Sequence, residues 1–258
     1  KEKPLSRQVA LVTGSGGGIG RAIADKLIAE GAVESRGSTS WCKKMPDNLH
    51  NNGRSVDGTL EFLTELSDNP KVEVIICEGL WASKDEQVNA AIEVIKEKTN
   101  NSFLWQIDCD EQWSLENIEL AEKTLLDNNL DSAAFPAHSW LGQNIVAKGE
   151  WGECIKDGYR RLWDWKGQDF KSHEPPLLVG GNGKHAVLPI YFNHYNYYFE
   201  QDVSFKNQWY SSHEGILSNW KKLQTFSKEK FPLPINNFFN SGWCSNTQTQ
   251  IVWNNNDI

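Results

Sequence analysis

From Gln8 to Thr13 the chain is apolar and β-branched, then breaks into Gly14-Ser15-Gly16-Gly17-Gly18-Ile19-Gly20. It resumes with Ala22, Ile23, Leu27 and Ile28 at helical spacing before Gly31. That order predicts a strand, a tight glycine turn and a helix stopped by Gly31. Beyond Ala32 the texture changes: residues 35–55 are rich in Ser, Asn, Gly and Lys without sustained periodicity, and read as a long functional loop. A helix over about 56–66 and a buried strand over Lys71–Cys77 follow. Ser83 with Glu86 makes a capping box ahead of Val88, Ala91, Ile92 and Ile95, so a helix starts there. Asn101–Ile107 predicts a strand and residues 115–126 a helix. Residues 131–150 read as a strand with a turn, 185–206 as aromatic strands or a short hairpin, and 214–228 as a final helix. The last twenty residues are Asn-rich and are expected to be loose. Alternating strands and helices predict an α/β fold, a mainly parallel sheet covered by helices, with a smaller aromatic-rich C-terminal region.

A chain of 258 residues is long enough for one α/β domain, or one with an appendage. Its net charge of −8 argues against nucleic-acid phosphates or anionic lipid as partners. No apolar run approaches the roughly 18 residues that span a bilayer. The charged-then-apolar layout of a signal peptide is also lacking, so the expected compartment is cytoplasmic. Five cysteines occur without a CxxC pair and are expected to be reduced thiols. Twelve tryptophans offer flat faces that serve equally as core filler and as platforms for sugar rings.

The run Thr13-Gly14-Ser15-Gly16-Gly17-Gly18-Ile19-Gly20 resembles the TGxxxGIG fingerprint of short-chain dehydrogenases, over residues 4–32. The resemblance implies NAD(P) as cofactor, with Gly14, Gly18 and Gly20 letting the backbone approach a pyrophosphate at a helix N-terminus. That family's general acid, a Tyr with Lys four residues later, is missing at every tyrosine: 159, 191, 195, 197, 198 and 210. An oxidoreductase is therefore the alternative reading, without its catalytic pair.

Asp108 and Asp110 flank Cys109 directly after the apolar run Phe103–Ile107, at the C-terminal end of a predicted strand, where ligands gather in open α/β sheets. Two carboxylates at this spacing suit Mg2+ or Mn2+ shared with a diphosphate, while the bland reading is a solvated turn capped at Ser114. Ser55-Val56-Asp57-Gly58-Thr59, Trp81–Asn89, Trp105–Glu111 and His194-Tyr195 are similar to segments of glycosyltransferase family 2 and its relatives, a resemblance covering residues 33–258. It implies a Rossmann-like nucleotide-binding sheet with an acceptor-side region, a nucleotide-sugar donor and a hydroxyl-bearing acceptor. By the same resemblance Asp108 and Asp110 hold the metal, His194 approaches it, and Lys84 and Asn89 contact the donor nucleotide.

The two resemblances divide the chain at 32/33 into a dehydrogenase-like unit, 1–32, and a glycosyltransferase-like domain, 33–258. If strand 8–13 occupies the slot of the first strand that such a domain would otherwise supply, the domain can fold; if it does not, donor binding is in doubt. In His173-Glu174-Pro175-Pro176 two prolines stiffen a loop that presents an imidazole and a carboxylate, either able to orient or deprotonate an acceptor hydroxyl; a rigid surface turn is the plain alternative. A non-catalytic sugar- or nucleotide-binding protein is the third reading.

Overall fold

The computed structural model describes residues 8–13, 50–51, 54–55, 61, 64–65, 68, 75, 77, 83–173, 175–209, 215–239 and 248–254. The predicted helices at 21–30 and 56–66 and the predicted strand at 71–77 lie wholly or largely outside them. Strand β1 (Gln8–Thr13) is present, and β2 (His50–Asn51) and β3 (Arg54–Ser55) form a short antiparallel pair inside the stretch read as a loop. Helix α1 (Lys84–Lys98) begins where the capping box placed it, Ser83 Oγ accepting from the Glu86 N–H at 3.2 Å. Its apolar stripe of Val88, Ala91, Ile92 and Ile95 is buried against one face of the first sheet. Strand β4 (Ser102–Asp108) sends Leu104 to that face and Trp105 and Ile107 to the other. A turn and β5 (Glu111–Gln112) lead to α2 (Leu115–Asp127), capped by Ser114, whose Oγ accepts from Asn117 N–H. Ile118, Ala121 and Leu125 of α2 pack on Trp105, Ile107, Trp113 and Phe135.

The next strands are β6 (Ser132–Phe135), β7 (Ala137–Gly142), β8 (Ile145–Lys148) and, after the short helix α3 (Glu150–Glu153), β9 (Tyr159–Trp165). Then come the hairpin β10 (Phe170–His173) and β11 (Pro176–Leu178), followed by β12 (His185–Val187) and β13 (Phe192–His194). The C-terminal part comprises α4 (Glu200–Trp209), α5 (Ile216–Gln224), β14 (Leu233–Pro234) and β15 (Gln250–Trp253).

Apart from the two-stranded pairs β2–β3 and β10–β11, the strands among the described residues form two mixed sheets, which corrects the expectation of one mainly parallel sheet. The first runs β1-β4-β9-β6-β12, parallel at β1/β4 and β6/β12 but antiparallel on both sides of β9. The second runs β14-β15-β8-β7-β13-β5 and is antiparallel except at β7/β13. The reason is the connection. Parallel neighbours need a long crossover, usually a helix. Here the chain leaves β6, makes the β7–β8 hairpin in the second sheet, and returns through α3 directly into β9, pointing the opposite way. Residues 185–206 are likewise two strands in different sheets followed by a helix, not a hairpin. The tail is corrected too: β15 completes the second sheet and Ile251 is fully buried.

Among the described residues the chain steps three times from the first sheet to the second: β4 to β5, β6 to β7 across Pro136, and β12 to β13. The candidate site lies at the first of these steps. β1 pairs with β4 along its whole length, Thr13 opposite Asp108, so the strand that precedes the glycine run ends beside the acidic turn. The second sheet has its own core of Leu141, Tyr197, Trp220, Phe238, Phe239 and Ile251, which is the aromatic C-terminal region.

Gly158 turns the chain into β9 with φ +61°, and a Cβ there would stand 2.8 Å from the Ala134 Cβ and the Phe135 nitrogen. Gly158→Ala combines a left-handed backbone with a backbone clash, and is expected to lose about 1–3 kcal/mol. A lowered urea midpoint at unchanged slope is the measurement.

Candidate active site

β4 ends at Asp108, the chain turns over Cys109 and Asp110, and Glu111 opens β5 in the second sheet. Two backbone ties fix that turn against β13. Glu111 pairs with His194 across the ladder, and the Asp110 carbonyl accepts from the Tyr195 N–H at 2.7 Å. The Asp110 and His194 side chains therefore meet, with Oδ1 3.6 Å from Nε2. The second oxygen of Asp110 lies 3.4 Å from the Lys206 Nζ, delivered by α4. Lys206 is itself held, donating to the Asn196 carbonyl at 2.6 Å and lying 4.9 Å over the Tyr197 ring. Burial pushes the Asp110 carboxyl up, but the charges of His194 and Lys206 outweigh it and hold the group well below the usual carboxylate range. His194 stands edge-on to Tyr159 at 5.3 Å, and its Nδ1 is buried with no hydrogen-bond partner among the described residues.

Behind this group lies a second cluster, centred on Arg161. Across β6 and β9 the register passes from Ala133–Leu162 to Ala134–Arg160, leaving Arg161 as the extra residue of a β-bulge. Bulges of this kind re-aim side chains beside functional sites. The Arg161 guanidinium reaches Glu111 Oε1 through Nε at 2.8 Å and Nη2 at 2.5 Å, and Asp108 Oδ2 through Nη2 at 2.8 Å. Glu111 is fully buried and its other oxygen accepts from Trp113 Nε1 at 3.1 Å. Burial raises the Glu111 carboxyl's pKa against the pull of Arg161, and the neighbouring Asp108 charge raises it further.

Of the residues singled out for metal or nucleotide chemistry, Asp110 and His194 are thus brought together, and Asp108 sits next to them on Arg161. Asn89 is engaged in structure: its amide donates to the Phe170 carbonyl and accepts from the Phe170 N–H, both at 2.8 Å, fastening α1 to β10. His173, at the end of β10, has Nδ1 2.6 Å from Asp85 Oδ1, which also accepts from the His173 N–H. Its hairpin packs on α1 through Phe170 and Leu178. Gly14, Gly18, Gly20, Glu174 and the Lys84 side chain lie outside the described residues. The sequence reading missed Arg161 and Lys206. An arginine inside the aromatic strand Tyr159–Trp165 is a usable signal, because such a charge is rarely buried without a partner. Lys206 carries no comparable signal.

A divalent cation needs oxygen or nitrogen donors that can converge. Among the described residues no three of His, Cys, Asp and Glu are grouped to hold an ion. Asp110 Oδ1 and His194 Nε2, 3.6 Å apart, can both touch one ion of about 2.1 Å bond length. Two protein donors suffice for Mg2+ or Mn2+ when a diphosphate and water complete the shell. The residues present fit such an ion.

On the opposite face of the second sheet, a cavity of about 250 Å3 is lined by residues including His138, Trp140, Lys148 and Asn193. Its polar groups are already matched: Asn193 accepts from Trp140 Nε1 and donates to Gln112, and Lys148 lies 3.3 Å from Glu153. Burial and the Lys148 charge lower the His138 pKa below 6.5, so the native state keeps its imidazole neutral. The stability this contributes is present above pH 6.5 and is lost as pH falls through the native value. His138→Gln is expected to flatten part of the fall in thermal midpoint as pH drops below 6.5, leaving the share of His185, whose pKa is also lowered.

No helix among the described residues is long and apolar enough to cross a membrane. No family model matches the chain. No curated protein matches it either. Solved structures that resemble it loosely include two of TarS from S. aureus. One, of residues 1–349, aligns at TM-score 0.45 and 11% identity, over 78% of this chain and 64% of that one. The other aligns at TM-score 0.46 and 11% identity, over 87% and 44% respectively. The chain thus spans less than two thirds of either.

Proposed function

We propose that this protein is a metal-dependent glycosyltransferase, moving a sugar from a nucleoside-diphosphate donor to a hydroxyl acceptor. The observation that supports it is the meeting of Asp110 Oδ1 and His194 Nε2 at 3.6 Å, where β4 passes from the first sheet to the second. Strand ends of this kind collect nucleotides. The family resemblance of residues 33–258 supplies the reaction class. Asp110 and His194 are the residues that would hold Mg2+ or Mn2+, and the bound ion would offset the charge on the departing diphosphate. Asp108 shares the Arg161 guanidinium with Glu111, which offsets part of the negative charge that would repel the donor's phosphates.

In the transfer, the bond between the anomeric carbon and the diphosphate oxygen breaks, its electron pair leaving with the diphosphate. A new bond forms from that carbon to the acceptor oxygen. The hydroxyl proton passes to a base, and His173, oriented by Asp85, or the adjacent Glu174 takes that role in this reading. Calorimetry with UDP and UDP-sugars tests it: binding is expected with Mn2+ and is expected to vanish when the metal is chelated. Binding equal with and without metal, or none in either case, would overturn the assignment. Saturable binding without transfer or hydrolysis across a panel of donors would make the protein a nucleotide-sugar-binding module instead.

A further inference from the structure

Asp110 divides its carboxylate between an imidazole and an ammonium. Oδ1 faces His194, while Oδ2 faces Lys206, whose ammonium is 3.4 Å away. Lys206 arrives from outside the acidic turn, on α4, and is largely buried, with 19% of its side chain exposed. One turn earlier on α4, half-buried Asp202 carries a carboxyl that senses the charges of both Lys206 and Asp110. Lys206 is therefore an ammonium set against the Asp110 carboxylate, with the Asp202 carboxyl one turn away on the same helix. Any divalent cation bound by Asp110 and His194 would sit within a few ångströms of that ammonium, in a partly desolvated place where like charges repel strongly. A diphosphate arriving with the cation reverses the balance, because its oxygens offer Lys206 a new partner.

We propose that Lys206 is an internal counter-ion that competes with the divalent cation for Asp110 and so makes metal binding conditional on the diphosphate. The proposal rests on the transferase reading and adds to it the coupling between metal and donor. Coupling of this kind is reciprocal: diphosphate tightens the metal by the same factor as the metal tightens diphosphate. In the metal-free protein Lys206 neutralises Asp110. With donor present, Lys206 turns from Asp110 to the phosphates, and Asp110 is released to the ion.

The test is Mn2+ titration of the whole chain, followed by the free-Mn2+ magnetic resonance signal, with and without UDP. Wild type, Lys206→Met, Lys206→Arg and His194→Ala are compared. Methionine keeps the packed stem and removes the charge. Without UDP, Lys206→Met is expected to bind Mn2+ about tenfold more tightly than wild type, as removal of a nearby like charge requires. UDP is then expected to tighten Mn2+ less in Lys206→Met than in wild type, and Lys206→Arg is expected to keep the wild-type coupling. Unchanged or weaker Mn2+ binding in Lys206→Met, matched by Lys206→Gln, would overturn the proposal, because a merely structural lysine gives that result. Mn2+ binding by wild type that His194→Ala leaves untouched would sink the metal site, and with it the transferase reading, whatever Lys206 does.

Discussion

Arg161→Met is expected to destabilise the protein by about 3–5 kcal/mol, the cost of breaking a buried ion pair by removing one partner. Arg161 is 6% exposed and Glu111 not at all, so in the native packing the guanidinium, not bulk water, compensates the Glu111 carboxylate. With Arg161 gone, Glu111 must take up a proton or remain a bare charge in the core, and Asp108 loses the same partner. The double variant Arg161→Met/Glu111→Gln is expected to regain much of the loss, because a neutral amide oxygen still accepts from Trp113 Nε1. Urea denaturation of the two single variants and the double variant measures the coupling. Additive losses would show that Arg161 and Glu111 do not act as a pair.

The second large effect concerns ligand binding rather than stability. Asp110→Asn is expected to weaken metal-dependent UDP binding by at least about a hundredfold, since an amide is a far poorer ligand for a hard cation than a carboxylate. His194→Ala is expected to follow it in direction. Asp110→Asn also changes the acid limb of stability. The native Asp110 carboxyl titrates below its ordinary value of 3.8, so its contribution is present above that pH and is lost as pH falls through the native value. The asparagine variant is expected to be less stable at neutral pH and to show a shallower acid limb. Metal-dependent binding that survives in Asp110→Asn would exclude this carboxylate from the site.

Several features were legible because they are local. Ser83 and Ser114 mark their helix starts through the side-chain oxygen three residues before an orphan N–H, a bond contained within one turn. The Phe103–Ile107 run reads as a strand because alternate residues face two different cores, α1 on one side and α2 on the other. The position of Asp108 and Asp110 at its C-terminal end follows directly. Other features were illegible because they depend on the path of the chain between elements. The direction of β9 is set by the excursion through β7 and β8, and the role of Arg161 by a one-residue register shift against β6. Residues 170–178 pair as a hairpin that the sequence reading did not anticipate.

The sequence by itself determined where the acidic turn lies and which helices flank it, because capping, periodicity and strand ends are fixed by near neighbours. Only the tertiary structure decided which partners the side chains of that turn have. His194 lies 84 residues beyond Asp110, Arg161 50 beyond Glu111 and Lys206 96 beyond Asp110. Which carboxylate each of these groups neutralises depends on sheet register and on the step between two sheets, quantities that no local pattern encodes.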